Sequence, residues 1–330
     1  MMSSLKFILI TQLKHSKNND QSNGFTLIEL LIAMVIAALV ITPLMLFMMG
    51  VLDGDRKEQA KTTTEQEMQA AIDYIARDLQ QAVYIYDAHG VTRNRNTTDV
   101  TLSGIQDQIP PVKTAPNCTS ATVCTPVLVF WKREFLAGSV GVTSPTDTTR
   151  DDGYAYSLVA YYLITNTNGS NTTWSKQARI GRFQIRGQVN AANTNTTNNT
   201  GFSPPPLDPN ITGSTLKERM NQWRTSLTSS QNYSSRVETL VDYISTTSPA
   251  ITTNTAGVCP GTNASPKLVG SLTTGFYTCV DAAEVLAQVF IRGNALARIQ
   301  NNNLTYQNSQ KSYFPSASVR VQGRGFLFTK

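Results

Sequence analysis

Histidine is nearly missing from this chain. Of its 330 residues, only His15 and His89 carry an imidazole. That removes most of the usual means of acid–base and metal chemistry near neutral pH. His89 stands alone beside Gly90 and reads as a loop residue. No HExxH, GxSxG or phosphate-binding glycine loop occurs, and the carboxylates do not cluster as an acid–base pair would. Asp151 and Asp152, followed by Gly153, read as a turn; two hard oxygen ligands alone are a weak case for calcium. The expectation is therefore no enzyme, no cofactor and no metal. Charge is sparse as well, at 15% of residues, while Asn, Thr and Ser are abundant, a balance that suits an exported protein. Of the net charge of +6, Lys6, Lys14 and Lys17 against Asp20 supply +2 within the first 24 residues. The remainder offers nucleic acid little to hold.

Cysteine is scarce: Cys118, Cys124, Cys259 and Cys279. No His lies near either pair, which disfavours zinc. Four cysteines allow three connectivities, and loop-closure entropy favours the local one, Cys118 with Cys124 and Cys259 with Cys279. Disulfides require export to an oxidising compartment; the alternative is four buried thiols.

What the sequence does have is "GFTLIELLIAMVIAALVITPLMLFMMG", Gly24 to Gly50. From Leu30 to Leu52 no residue carries a formal charge. As a helix this is about 34 Å long, enough to cross a bilayer core. A cleaved secretory signal would have a shorter apolar core with small residues after it, whereas here Gly24 precedes the core. A plain anchor leaves Glu29 without a task, although an ionisable group at that depth is costly and normally paired.

The stretch "KNNDQSNGFTLIELLIAMVIAALV" resembles the class III signal of type IV pilins and type II secretion pseudopilins. The resemblance implies cleavage between Gly24 and Phe25, N-methylation of Phe25, and Glu29 as the fifth mature residue. The cation for Glu29 would be the Phe25 amine of a neighbouring subunit or its own. Pro43 should kink or loosen the apolar helix, either as in pilins that partly melt on packing or as a tolerated kink in a membrane helix. Implied partners are other pilins or pseudopilins, the prepilin peptidase and the inner-membrane platform of the assembly machine. The implied location is the inner membrane, crossed once, with the globular domain in the periplasm and assembly into a pilus or pseudopilus.

Beyond Leu52 the chain turns hydrophilic yet keeps helical spacing. Met68, Ile72, Ile75, Leu79 and Val83 form one apolar face, with Arg77, Asp78 and Gln80 off it. Asp53 and Gly54 suit a weak joint. "AIDYIARDLQQAVY" resembles the matching segment of minor pseudopilins of the J/W type.

The rest reads as strands. They are Pro126–Trp131; Tyr154–Ile164, apolar on both parities and so central; Arg179–Val189, with Phe183, Ile185 and Val189 opposite Arg182, Gln184, Arg186 and Gln188; and Ser316–Phe328, with Val319, Val321 and Leu327 opposite Arg320, Gln322 and Arg324. Val285–Ile299 is ambiguous between strand and helix. Thr215–Leu227 and Tyr233–Ile244 suit short helices. The low-complexity run Asn190–Thr200 cannot bury a core. The fold class expected is α+β and pilin-like: a long N-terminal helix packed on an antiparallel β-sheet, with a long polar insertion. Its divisions are a leader at 1–24, the transmembrane half-helix at 25–52, the amphipathic half-helix at 53–86, and a globular domain at 87–330 with the insertion at about 190–250.

Two functions compete. The first is a structural minor pilin or pseudopilin. "VLAQVFIRGNALARI" and "YFPSASVRVQGRGFLF" resemble the cyanobacterial pseudopilins of hormogonium polysaccharide secretion, which implies polysaccharide export and gliding motility. The second is a pilus-associated binding module, an adhesin or a binder of DNA or acidic polymer. Arg182, Arg186, Arg320 and Arg324 would then form its ligand face, against the blander reading of a solvated sheet face. Tyr84, Tyr86, Tyr154, Tyr156, Tyr161 and Tyr162 could stack on sugars, though core packing accounts for most of them.

Overall fold

The computed structural model describes residues 26–141, 149–165, 173–188, 198–207, 215–247, 259, 267–300 and 304–324. The chain divides into two compact units, Met1–Asp55 and Arg56–Lys330. Helix α1, Leu27–Gln80, contains Pro43, and Asp53 and Gly54 are helical residues within it. In the first unit its apolar side chains are exposed, from Leu27 (91%) onward.

In the second unit, Met68, Ala71, Ile72, Ile75 and Leu79 of α1 are buried. The helix stops earlier than its apolar spacing suggests. Ala82–Ile85, expected to be its last turn, is strand β1. All four of its residues are buried, so the β-branched and aromatic "AVYI" finds more burial flat in a sheet than on one helical stripe.

Five strands form the main sheet in the order β1-β2-β3-β4-β5, with neighbours antiparallel: β2 Cys124–Gly141, β3 Arg150–Ile164, β4 Ala178–Gln188 and β5 Glu238–Ile244. β3 is central, as its two-sided apolarity requires. Asp151 and Asp152 lie in β3, not in a turn, and Asp152 accepts a hydrogen bond from the Gly138 amide. Residues 238–244, expected to be helical, form β5; its mostly half-buried positions, with only Val241 and Ile244 buried, suit its place at the sheet edge. The helix expected from Thr215 is one short element, Leu216–Asn221, closed by a reciprocal Thr215–Glu218 capping box.

Register sorts the two faces of this sheet. Lys132, Tyr161 and Arg182 reach Asp78 of α1, so their face is the helix side. Trp131 and Phe183 point the other way, onto Phe202, Trp223 and Tyr233. The described part of the expected insertion thus supplies a second apolar layer. Tyr86 links the layers by accepting from Trp131 Nε1 and donating to the Met220 carbonyl. Gly187 makes this approach possible, because a Cβ there would collide with the Phe202 ring.

A second sheet follows in the order β6-β7-β8-β9: Leu268–Gly270, Phe276–Asp281, Leu286–Arg292 and Ser316–Gln322. The ambiguous segment from Val285 resolves as both kinds of structure, β8 and then the one-turn helix Leu296–Gln300. Thr278 Oγ1 donates to the Val127 carbonyl at 2.8 Å, tying the sheets together. Gly293 lies against α1, where a Cβ would sit 2.5 Å from Thr64 Cγ2 and 2.6 Å from Met68 Sδ. Disulfides join Cys118 to Cys124 and Cys259 to Cys279, with Cα separations of 5.6 and 5.4 Å.

The chain is α+β: a long, initially apolar helix followed by antiparallel sheet, the order of a pilin-like fold.

Candidate functional site

Gly24 and Phe25 lie outside the described residues; the description begins at Thr26. Thr26 Oγ1 accepts from the Glu29 amide at 3.3 Å, and the Thr26 carbonyl accepts from the Leu30 amide at 3.1 Å. Thr26 therefore caps α1, and "TLIE" forms half of a capping box. The carboxylate of Glu29 sits in the first helical turn, where the helix dipole favours a negative charge. The Thr-x-x-Glu spacing of Thr26 and Glu29 is the local sequence signal for this cap. Further along, Thr42 Oγ1 donates to the Ala38 carbonyl at 2.7 Å, one residue before Pro43. This back-bond adds a second donor to a carbonyl already within the helical ladder; the carbonyl that Pro43 leaves without its amide partner is that of Leu39. The large apolar side chains from Leu27 to Leu52 are all exposed. An apolar surface of that extent needs lipid or other apolar chains around it, and α1 is long and apolar enough to span a membrane.

The four arginines of the expected ligand face do not form one face. Arg182 and Arg186 are on β4; Arg320 is on β9 and Arg324 just beyond it. Arg182 Nε is 2.8 Å from Asp78 Oδ2, so this guanidinium serves the helix–sheet joint and not solvent. The same carboxylate accepts from Lys132 Nζ at 2.9 Å and from the Tyr161 hydroxyl at 2.7 Å. Lys132 also lies 2.6 Å from Glu134, which Gln184 and, at 3.7 Å, Arg186 approach. Burial would raise the Asp78 carboxyl, but hydrogen bonding and charge from Arg182, then Lys132 and Tyr161, hold it below the ordinary carboxylate range. Asp78, placed off the apolar face by spacing, is 7% exposed. Only long-range pairing makes that tolerable.

Of the tyrosines, Tyr84, Tyr86, Tyr161 and Tyr162 are buried in the core. Tyr154 is exposed and lies under Arg133, whose guanidinium carbon is 3.7 Å from the ring centre. His89 belongs to the one-turn helix α2, Ala88–Thr92, capped by Asp87, and its pKa is lowered, chiefly by burial and then by Arg93. Among the described residues, no three His, Cys, Asp or Glu side chains converge as a metal site would need.

Residues 19–45 match the prokaryotic N-terminal methylation motif. The match supports a type IV pilin or pseudopilin. No curated protein and no solved structure matches the chain. The pilin motif suggests a structural, non-enzymatic subunit and implies association with other pilins and with the prepilin peptidase. Together with the exposed apolar half of α1, it fits a membrane-anchored pilin.

Proposed function

We propose that this chain is a minor pilin or pseudopilin of the J/W kind. It is cut between Gly24 and Phe25, methylated on Phe25, and drawn from the inner membrane into a short filament of a type IV pilus or type II secretion-like machine. Its globular domain faces the periplasm, and the platform of the machine is a partner. The observation that carries this reading is the methylation-motif match over residues 19–45, with Glu29 inside it at the start of an exposed apolar helix. A carboxylate in lipid is stabilised by a cation, and cleavage after Gly24 creates one on Phe25. Processing thereby licenses assembly. Polysaccharide export and gliding motility are the cellular role that the resemblance of the C-terminal segments supports.

Mass spectrometry of the N-terminus tests the reading. The expected product begins with N-methylated Phe25, and Gly24→Arg leaves the leader attached. A fully active protein that retains residues 1–24 overturns it.

A further inference from the structure

Register places an unusual set of side chains on the outer face of the second sheet. Tyr277 is opposite Phe290, which is opposite Ser318; Gln288 is opposite Arg320, and Arg292 is opposite Ser316. Phe276, Val289 and Ile291 fill the other face and are buried. The Tyr277 and Phe290 rings are stacked 4.8 Å apart at 15°, both part-exposed, which leaves each ring one outer side. Arg292 follows Phe290 by two residues and Arg320 follows Ser318 by two, so a cation flanks the aromatic pair on either side. Four residues of strand rise and one interstrand step put the two arginine Cα atoms roughly 14 Å apart. Ser316, Ser318 and Arg320 are exposed between and around them. Tyr277, Phe290, Arg292, Ser316 and Ser318 line a cavity of about 240 Å³.

The two arginines differ from those of the main sheet in one respect. Arg182 and Arg186 face Asp78 and Glu134. Among the described residues no carboxylate lies within salt-bridge distance of Arg292 or Arg320, and the nearby Asp281 is taken by Lys267 at 3.1 Å. Arg292 lies over the Tyr306 ring at 5.2 Å, which orients the guanidinium without neutralising it.

We propose that this face binds an acidic polysaccharide that carries its charges on alternate units. Two arginines whose Cα atoms are roughly 14 Å apart, with no carboxylate partner among the described residues and with hydroxyls and an aromatic pair between them, suit a polymer whose acid groups are separated by hydroxylated, part-apolar rings. A nucleic-acid strand presents a phosphate at every residue and needs a continuous basic track, which two separated arginines do not provide. This inference deepens the proposed export role and rests on it for the cellular context only.

The test uses the full-length chain in a non-ionic detergent, titrated with a hyaluronan octasaccharide, neutral dextran and an oligothymidylate of matched length. Hyaluronan is expected to bind, weakening with salt, and dextran is not. Arg292→Gln and Arg320→Gln should each weaken binding by tenfold or more, while Arg186→Gln leaves it unchanged. Arg320 is exposed on an edge strand, so Arg320→Gln folds normally by circular dichroism and keeps the test decisive even if Arg292→Gln does not. Absence of hyaluronan binding, equal loss in Arg186→Gln, or tighter binding of oligothymidylate overturns the proposal. N-terminal mass and filament incorporation are read on the same variants. An unprocessed N-terminus defeats the pilin reading and leaves the binding result standing; normal processing without binding defeats only the surface.

Discussion

Asp78 of α1 and Arg182 of β4, 104 residues apart, meet at 2.8 Å inside the helix–sheet joint. The pair converts an otherwise sliding apolar contact into one with a fixed register, because the carboxylate also requires Lys132 and Tyr161 of the two preceding strands. Removing one side leaves the other buried and unpaired. Arg182→Met should cost about 3–5 kcal/mol, read as a lower melting temperature, and more than Arg186→Met, whose side chain is half exposed. Equal losses would show that the joint does not depend on this pair.

The same carboxylate makes the joint sensitive to acid. Its pKa in the folded chain lies below the ordinary aspartate value of 3.8. Between the folded and unfolded values the unfolded chain binds more protons, so stability rises with pH there. The contribution of Asp78 is complete above the unfolded value and is lost as pH falls through the folded one. Melting temperature in the wild type should therefore drop below about pH 4, and Asp78→Asn, less stable at neutral pH, should lose part of that dependence. Parallel pH profiles would exclude Asp78 as a source.

Glu29→Val should leave cleavage after Gly24 intact and impair assembly. A carboxylate at membrane depth carries a cost of roughly 2.5–3.5 kcal/mol unless paired, so the pairing can favour the assembled state by more than about tenfold. The measurement is the ratio of filament-bound to membrane-bound protein in sheared fractions. An unchanged ratio removes the pairing.

Gly187 should not accept a side chain. Gly187→Val forces the Phe202 ring off β4 and, through it, the packing on Trp131. Overpacking of this sort costs about 1–3 kcal/mol. Denaturant midpoint and tryptophan emission together report it; a variant with unaltered emission would mean that the ring is displaced without touching Trp131.

The two disulfides should contribute unequally. Chain-entropy arguments give about 2 kcal/mol for the six-residue separation of Cys118–Cys124 and about 3 kcal/mol for the twenty-residue separation of Cys259–Cys279. Paired Cys→Ser variants, compared by melting temperature, should rank in that order. The reverse ranking would place the stabilisation in native packing around Cys118 instead.

Local patterns in the chain were sufficient for much of this. A charge-free run longer than a bilayer core can only be an apolar helix, and the spacing of Gly24, Phe25 and Glu29 marks the motif. Alternation in Arg179–Gln188 announced a strand with one buried parity, and Phe183 and Ile185 are indeed buried while Arg186 is exposed. Where two local preferences were balanced, spacing failed. "AVYI" continued the helical stripe and became β1, and Glu238–Ile244 looked helical and became β5, since each gains a sheet neighbour that no local window contains.

Sequence alone therefore determined the apolar span, its acidic residue, the α+β class and the in–out parity of the strands, because these depend on periodicity within a few residues. Tertiary structure decided which charges are spent and which are free. Asp78 is buried and Arg182 is committed to it, whereas among the described residues half-buried Arg292 and exposed Arg320 have no carboxylate within salt-bridge distance. That distinction turns on strand register and on partners scores of residues away, and desolvation sets its energy only once the sheets and helix have closed around them.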